Sequence, residues 1–63
     1  MIRTICNSNK GYKDELNVGA YYYFDNFKGT NTFTGDIFGN MYILVDGEYI
    51  YKGVYPRKLF TIA

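Results

Sequence analysis

Two β-rich runs, Met41-Tyr42-Ile43-Leu44-Val45 and Glu48-Tyr49-Ile50-Tyr51-Lys52, meet at Asp46-Gly47. Both residues of a two-residue type I′ turn need positive φ, which Asp and Gly tolerate, so this stretch reads as a tight antiparallel hairpin. A hairpin alone is marginal in water and needs further strands or a packed face to stand. With 63 residues in all, the chain has room for one domain, residues 1–63, built around this hairpin.

The remaining segments supply strands and no long helix. Ile2-Arg3-Thr4-Ile5-Cys6 alternates, with Ile2 and Thr4 on one side and Arg3 and Ile5 on the other. Asn7-Ser8-Asn9-Lys10-Gly11 is turn chemistry, and Tyr12 to Gly19 reads as a loop that tucks Leu16 and Val18 inward. Ala20 to Phe27 is the strongest β segment: Tyr22 and Phe24 share one face, while Tyr21, Tyr23 and Phe27 share the other. Such a strand is covered on both sides or leaves one side for a partner. Lys28-Gly29-Thr30-Asn31 reads as a loop, Thr32-Phe33-Thr34 as a short strand and Gly39-Asn40 as a turn. Pro56 suits the start of one 3₁₀ turn, Pro56-Arg57-Lys58, before β character resumes at Leu59-Phe60-Thr61-Ile62. The expectation is an all-β domain of five to six short antiparallel strands, with one 3₁₀ turn before the last strand. Closing them into a small barrel would remove exposed sheet edges.

So short a chain usually leans on a disulfide, a metal, oligomerisation or a rich core. Cys6 is the only cysteine and histidine is absent, so neither an internal disulfide nor a Cys/His zinc site can form. Eight Tyr and five Phe make up the deficit. Each buried ring removes about 150–250 Å² from water, and thirteen exceed what one small core can hold. Some rings are therefore left outside, and a group of them would mark a contact site or a homo-oligomer interface.

Gly53-Val54-Tyr55-Pro56-Arg57-Lys58-Leu59-Phe60 resembles the SH3 segment in which a Gly, an aliphatic or aromatic residue and a Pro close the fourth strand, make the 3₁₀ turn and open the fifth. By that resemblance residues 7–19 stand for the long first loop, 28–39 for the second, and Asp46-Gly47 for the distal hairpin tip. The chain is also similar to short SH3-like proteins encoded by bacteriophages and prophages. These carry an N-terminal strand ending in Cys, a Leu-x-Val-Gly-x-x-Tyr step (here from Leu16 to Tyr22) and a closing Gly-x-Tyr-Pro. The resemblance implies a small SH3-like barrel. It does not extend to Pro-rich ligands: Met41 stands where the groove Trp is expected, and Leu59 where a groove Tyr is expected.

Chemistry is sparsely provided. Without His the commonest general base is missing, Ser8 is the sole serine, and Cys6 at a strand end without a His partner reads as a small buried hydrophobe. Asp36 and Asp46 sit in turns that favour Asp for backbone reasons. The glycines lack the spacing and the following Lys of a phosphate loop. The expectation is a non-enzymatic protein without metal or cofactor. A net charge of +1 is too balanced to announce nucleic acid, and no apolar run approaches the length of a membrane helix. A lone thiol and no export signal give the expectation of a cytoplasmic protein, in the host cell's cytoplasm if a phage encodes it.

The candidate contact residues are Tyr21, Tyr23, Tyr51, Tyr55, Arg57 and Lys58, with Lys52 and Lys28 beside them. Tyr and Arg are enriched at binding hot spots. With the phage resemblance, this reads as a module that binds a host protein, such as a defence component, and inhibits or redirects it. The alternative is a Tyr/Lys/Arg surface for a small anionic ligand or single-stranded nucleic acid, with rings stacking on bases and cations meeting phosphates.

Overall fold

The computed structural model describes residues 1–26 and 37–63. Its strands are β1 (Ile2–Cys6), β2 (Tyr21–Phe24), β3 (Phe38–Val45), β4 (Glu48–Pro56) and β5 (Phe60–Ile62), with a 3₁₀ turn at Arg57–Leu59. They form one antiparallel sheet in the order β4-β3-β2-β1-β5. The expected strand at Thr32–Thr34, the loop at 28–31 and the ring of Phe27 lie outside the described residues.

The hairpin forms as its turn chemistry dictates. Asp46 and Gly47 take φ of 50° and 81°, and Val45 pairs with Glu48 to close the ladder. β4 nevertheless runs four residues beyond the expected Lys52, because the register slips by one residue between Met41 and Tyr42. Lys52 is the extra residue of this bulge, and Gly53 at φ 134° supplies a conformation that other residues resist. β3 likewise begins at Phe38, inside the segment 28–39 expected as a loop, so Gly39-Asn40 is strand and not turn. The reason is packing: a Cβ at Gly39 would stand 2.9 Å from Cδ2 of Phe24, so the ring covers a backbone that only glycine leaves open.

Strand parity sorts the two faces. Ile2, Thr4 and Cys6 share one side of β1, and Tyr22 and Phe24 share that side of β2. Cys6, Tyr22 and Phe24, with Met41, Tyr55, Leu59, Phe60 and the loop residue Leu16, make the core. Phe60 is its hub, edge-on to Tyr22 at 5.6 Å and to Phe24 at 5.0 Å between ring centroids. Thr4, fully buried, is satisfied because its Oγ1 donates to the Tyr22 carbonyl at 2.8 Å.

The segment 7–19 is a loop whose ends meet at Cys6 and Ala20: the Cys6 N–H donates to the Ala20 carbonyl at 2.9 Å, and Gly19 N–H to the Cys6 carbonyl at 2.8 Å. Leu16 tucks into the core as expected, but Val18 is exposed. Ala20 N–H bonds the Asn17 carbonyl, which leaves Val18 on the outer corner of that turn. The 3₁₀ turn runs from Arg57 to Leu59, one residue later than expected, with Pro56 as its N-cap. The sheet is open: β4 and β5 are its two ends, and among the described residues no ladder joins them. β5 is three residues long and its pairing partner is β1, while β4 ends in a proline that has no N–H to donate.

Candidate functional surface

The face of the sheet opposite the core carries a row of tyrosines. Register sets Arg3 beside Tyr23, Tyr23 beside Tyr42, and Tyr42 beside Tyr51, so one row crosses β1, β2, β3 and β4. Ile5 beside Tyr21 and Leu44 beside Tyr49 make up the next row, on one side of it. The rings touch: Tyr42 and Tyr51 pair at 5.3 Å and 63°, and Tyr23 and Tyr49 at 5.3 Å and 66°, both in the edge-to-face range. The Arg3 guanidinium lies 4.9 Å from the centroid of Tyr21, a cation–π contact that extends the surface onto β1. Tyr21 and Tyr51 are each 53% exposed and Tyr49 is 46% exposed, with Tyr23 and Tyr42 half-buried between them. This is one contiguous aromatic face.

A polar chain borders it. The Tyr51 hydroxyl donates to Oδ1 of Asn40 at 3.3 Å, and Nδ2 of Asn40 donates to Oδ2 of Asp25 at 3.0 Å. Asp25 in turn accepts the Asn26 N–H through Oδ1 at 2.7 Å. The carboxylate is thus engaged in fixing Asn40, and Asn40 fixes the hydroxyl end of one ring. Rings held this way lose little further freedom when a partner covers them, which favours binding.

Of the expected contact residues, the structure brings together Tyr21, Tyr23 and Tyr51 on this face and places Tyr55 elsewhere. Tyr55 belongs to the core: its ring packs against Tyr12 at 5.5 Å, and its hydroxyl donates to Oε1 of Glu15 at 2.9 Å. The bulge at Lys52 is the cause, since the extra residue resets the alternation beyond it and turns Tyr55 inward. Burial, then the Glu15 carboxylate, pushes the Tyr55 phenol up from its usual value. Arg57 and Lys58 sit on the 3₁₀ turn that follows β4, beyond the bulge at Lys52. Lys52 stands on the bulge next to Tyr51, and Lys28 lies outside the described residues.

Three members of the face, Arg3, Tyr42 and Tyr49, were not among the expected residues. The signal for the two tyrosines is in the sequence: a two-residue Asp46-Gly47 turn fixes Leu44 opposite Tyr49 and Tyr42 opposite Tyr51, which places all four on one face. Arg3 needs the β1–β2 register, which sequence periodicity does not give.

Cys6 is buried, and its thiol donates to the Ser8 carbonyl at 3.3 Å. Burial raises its pKa, which favours the thiol over the nucleophilic thiolate. Among the described residues no helix is long and apolar enough to cross a membrane. Compared with known protein families, with characterised proteins and with solved structures, the chain matches none.

Proposed function

We propose that the chain is a non-enzymatic binding module that recognises a protein through the tyrosine face of its sheet. The observation that carries this reading is the continuity of Tyr21, Tyr23, Tyr42, Tyr49 and Tyr51, flanked by Arg3, on the side away from the core. Large contiguous exposed apolar patches are uncommon on monomers that touch nothing, and Tyr and Arg dominate interface hot spots. A flat row of rings with a few fixed polar groups matches the interface pattern of an aromatic centre with a polar rim.

The SH3-like reading of the architecture is part of the same proposal. It is supported by the segment that closes β4 at Pro56, makes the 3₁₀ turn and opens β5 at Phe60, in the order the resemblance implies. The resemblance to phage-encoded proteins of this size makes the partner a bacterial host protein that the module blocks or redirects in the cytoplasm, such as a defence component.

Affinity capture from bacterial lysate tests the reading. The expected result is one host protein at near-stoichiometric level, unaffected by Arg57→Ala with Lys58→Ala. Recovery of no protein above background, or of nucleic acid alone with a steep salt dependence, overturns it and points to the anionic-ligand alternative.

A further inference from the structure

Among the described residues β4 is an open edge along its first half. It ends the sheet order, and from Glu48 to Tyr51 it carries no proline, bulge or central charge to discourage pairing. In a hairpin closed by a two-residue turn, Val45 and Glu48 form a hydrogen-bonded pair. The backbone groups of Glu48 and Ile50 therefore face β3, while those of Tyr49 and Tyr51 face outward, where among the described residues no strand meets them. The hairpin end is also rich in exposed apolar side chains: Leu44, Val45, Tyr49, Ile50 and Tyr51 are all more than two-fifths exposed.

We infer that the occupant of this edge is a second copy of the chain, paired antiparallel, β4 to β4, about a two-fold axis at Ile50. Backbone parity and charge both select this register. Antiparallel partners must both point their N–H and C=O groups across the gap, and pairing Tyr49 with Tyr51 of the second copy, twice, meets that condition. The same register brings Glu48 to the bulge residue Lys52 of the second copy, again twice, within reach of its long side chain, and sets Ile50 opposite its symmetry mate. The neighbouring registers that keep backbone parity place either Glu48 or Lys52 across from Ile50 and lose both Glu48–Lys52 pairs. The contact is self-complementary and closed. Pairing β4 with β5 of another copy would instead be head-to-tail and open-ended, and β5 offers three residues. The outcome is a ten-stranded sheet on whose outer side two tyrosine faces run together across the seam. This inference does not depend on the partner proposed above.

Charge reversal with sedimentation tests the register. The full-length chain is expected to show a monomer–dimer equilibrium that weakens with added salt. Glu48→Lys alone and Lys52→Glu alone each place like charges opposite one another twice, and each is expected to raise the dimer dissociation constant about tenfold or more. Mixing the two single variants regenerates both opposite-charge pairs, as does the double reversal in one chain, and association is expected to return in both cases. Circular dichroism checks that every variant is folded, and the mixing experiment reads register even where a single variant is less stable. A wild-type chain that stays monomeric at millimolar concentration overturns the inference. So does a dimer indifferent to the single reversals, or one that mixing fails to restore.

Discussion

The tyrosines of this chain divide into two sets that share chemistry and differ in everything else. Tyr22 and Tyr55 are buried with their hydroxyls paired: Tyr22 accepts the Asn17 N–H at 2.9 Å and Tyr55 donates to Glu15. Tyr12 joins them, half-buried against Tyr55. In the second set, Tyr21, Tyr23, Tyr42, Tyr49 and Tyr51 lie side by side on the opposite face, mostly against each other. What separates Tyr21 from Tyr22 is one step along a strand. A period of two is thus enough to make the same residue a core element or a contact element, and the hydroxyl follows: inside it must find a partner, outside water will serve.

The largest effect expected from breaking this division is on β2. Phe24→Ala empties the most buried ring and is expected to cost about 3–5 kcal/mol. Domains are stable by roughly 0.05–0.15 kcal/mol per residue, so the variant is expected to be largely unfolded by circular dichroism. Tyr21→Ala, three residues earlier on the other face, is expected to cost less than about 1 kcal/mol in a denaturant titration. Equal losses at the two positions would erase the distinction.

Gly39→Ala comes next. Its Cβ would press on the Phe24 ring at 2.9 Å and on the Asn26 carbonyl at 3.2 Å, and overpacking of this kind costs about 1–3 kcal/mol. An unchanged denaturation midpoint would mean that Phe24 does not lean on β3.

Smaller still is an alkaline effect confined to the inner set. Burial raises the Tyr55 phenol above its ordinary value of 10.0, and burial raises the Cys6 thiol above 9.0. The folded chain therefore holds these protons more tightly than the unfolded chain does. The resulting stability is fully present below the unfolded values and is lost as pH rises through the folded ones. The thermal midpoint is expected to fall from about pH 9 upward, with Tyr55→Phe removing the part that begins near pH 10. At neutral pH that substitution deletes one hydrogen bond and is expected to cost about 1 kcal/mol. A midpoint flat to pH 11 would contradict the buried placement of both groups.

Local chemistry made much of this legible beforehand. Asp46-Gly47 announced the hairpin, the alternation of Tyr21 to Phe24 announced both faces of β2, and Pro56 announced the 3₁₀ turn. What failed was non-local. The bulge at Lys52 is a matter of β3–β4 register, and it turns Tyr55 onto Tyr12, forty-odd residues away in the chain, a contact no sequence window contains. Tyr55 was accordingly placed outside when it lies inside. Val18 was placed inside because it is apolar, although the turn at Asn17–Ala20 directs it outward. The contact face was half-seen for the same reason: β2 and β4 each showed their rings, but only the register across β3 shows that they adjoin.

The most direct test of the outer set is to remove its two most exposed rings together, Tyr21→Ser with Tyr51→Ser, and to measure thermal stability and partner capture side by side. If the outer rings exist to be covered, the midpoint moves by a few degrees at most while the captured protein disappears. A variant that unfolds, or one that holds its partner as firmly as the parent, would show that this face was never the surface of contact.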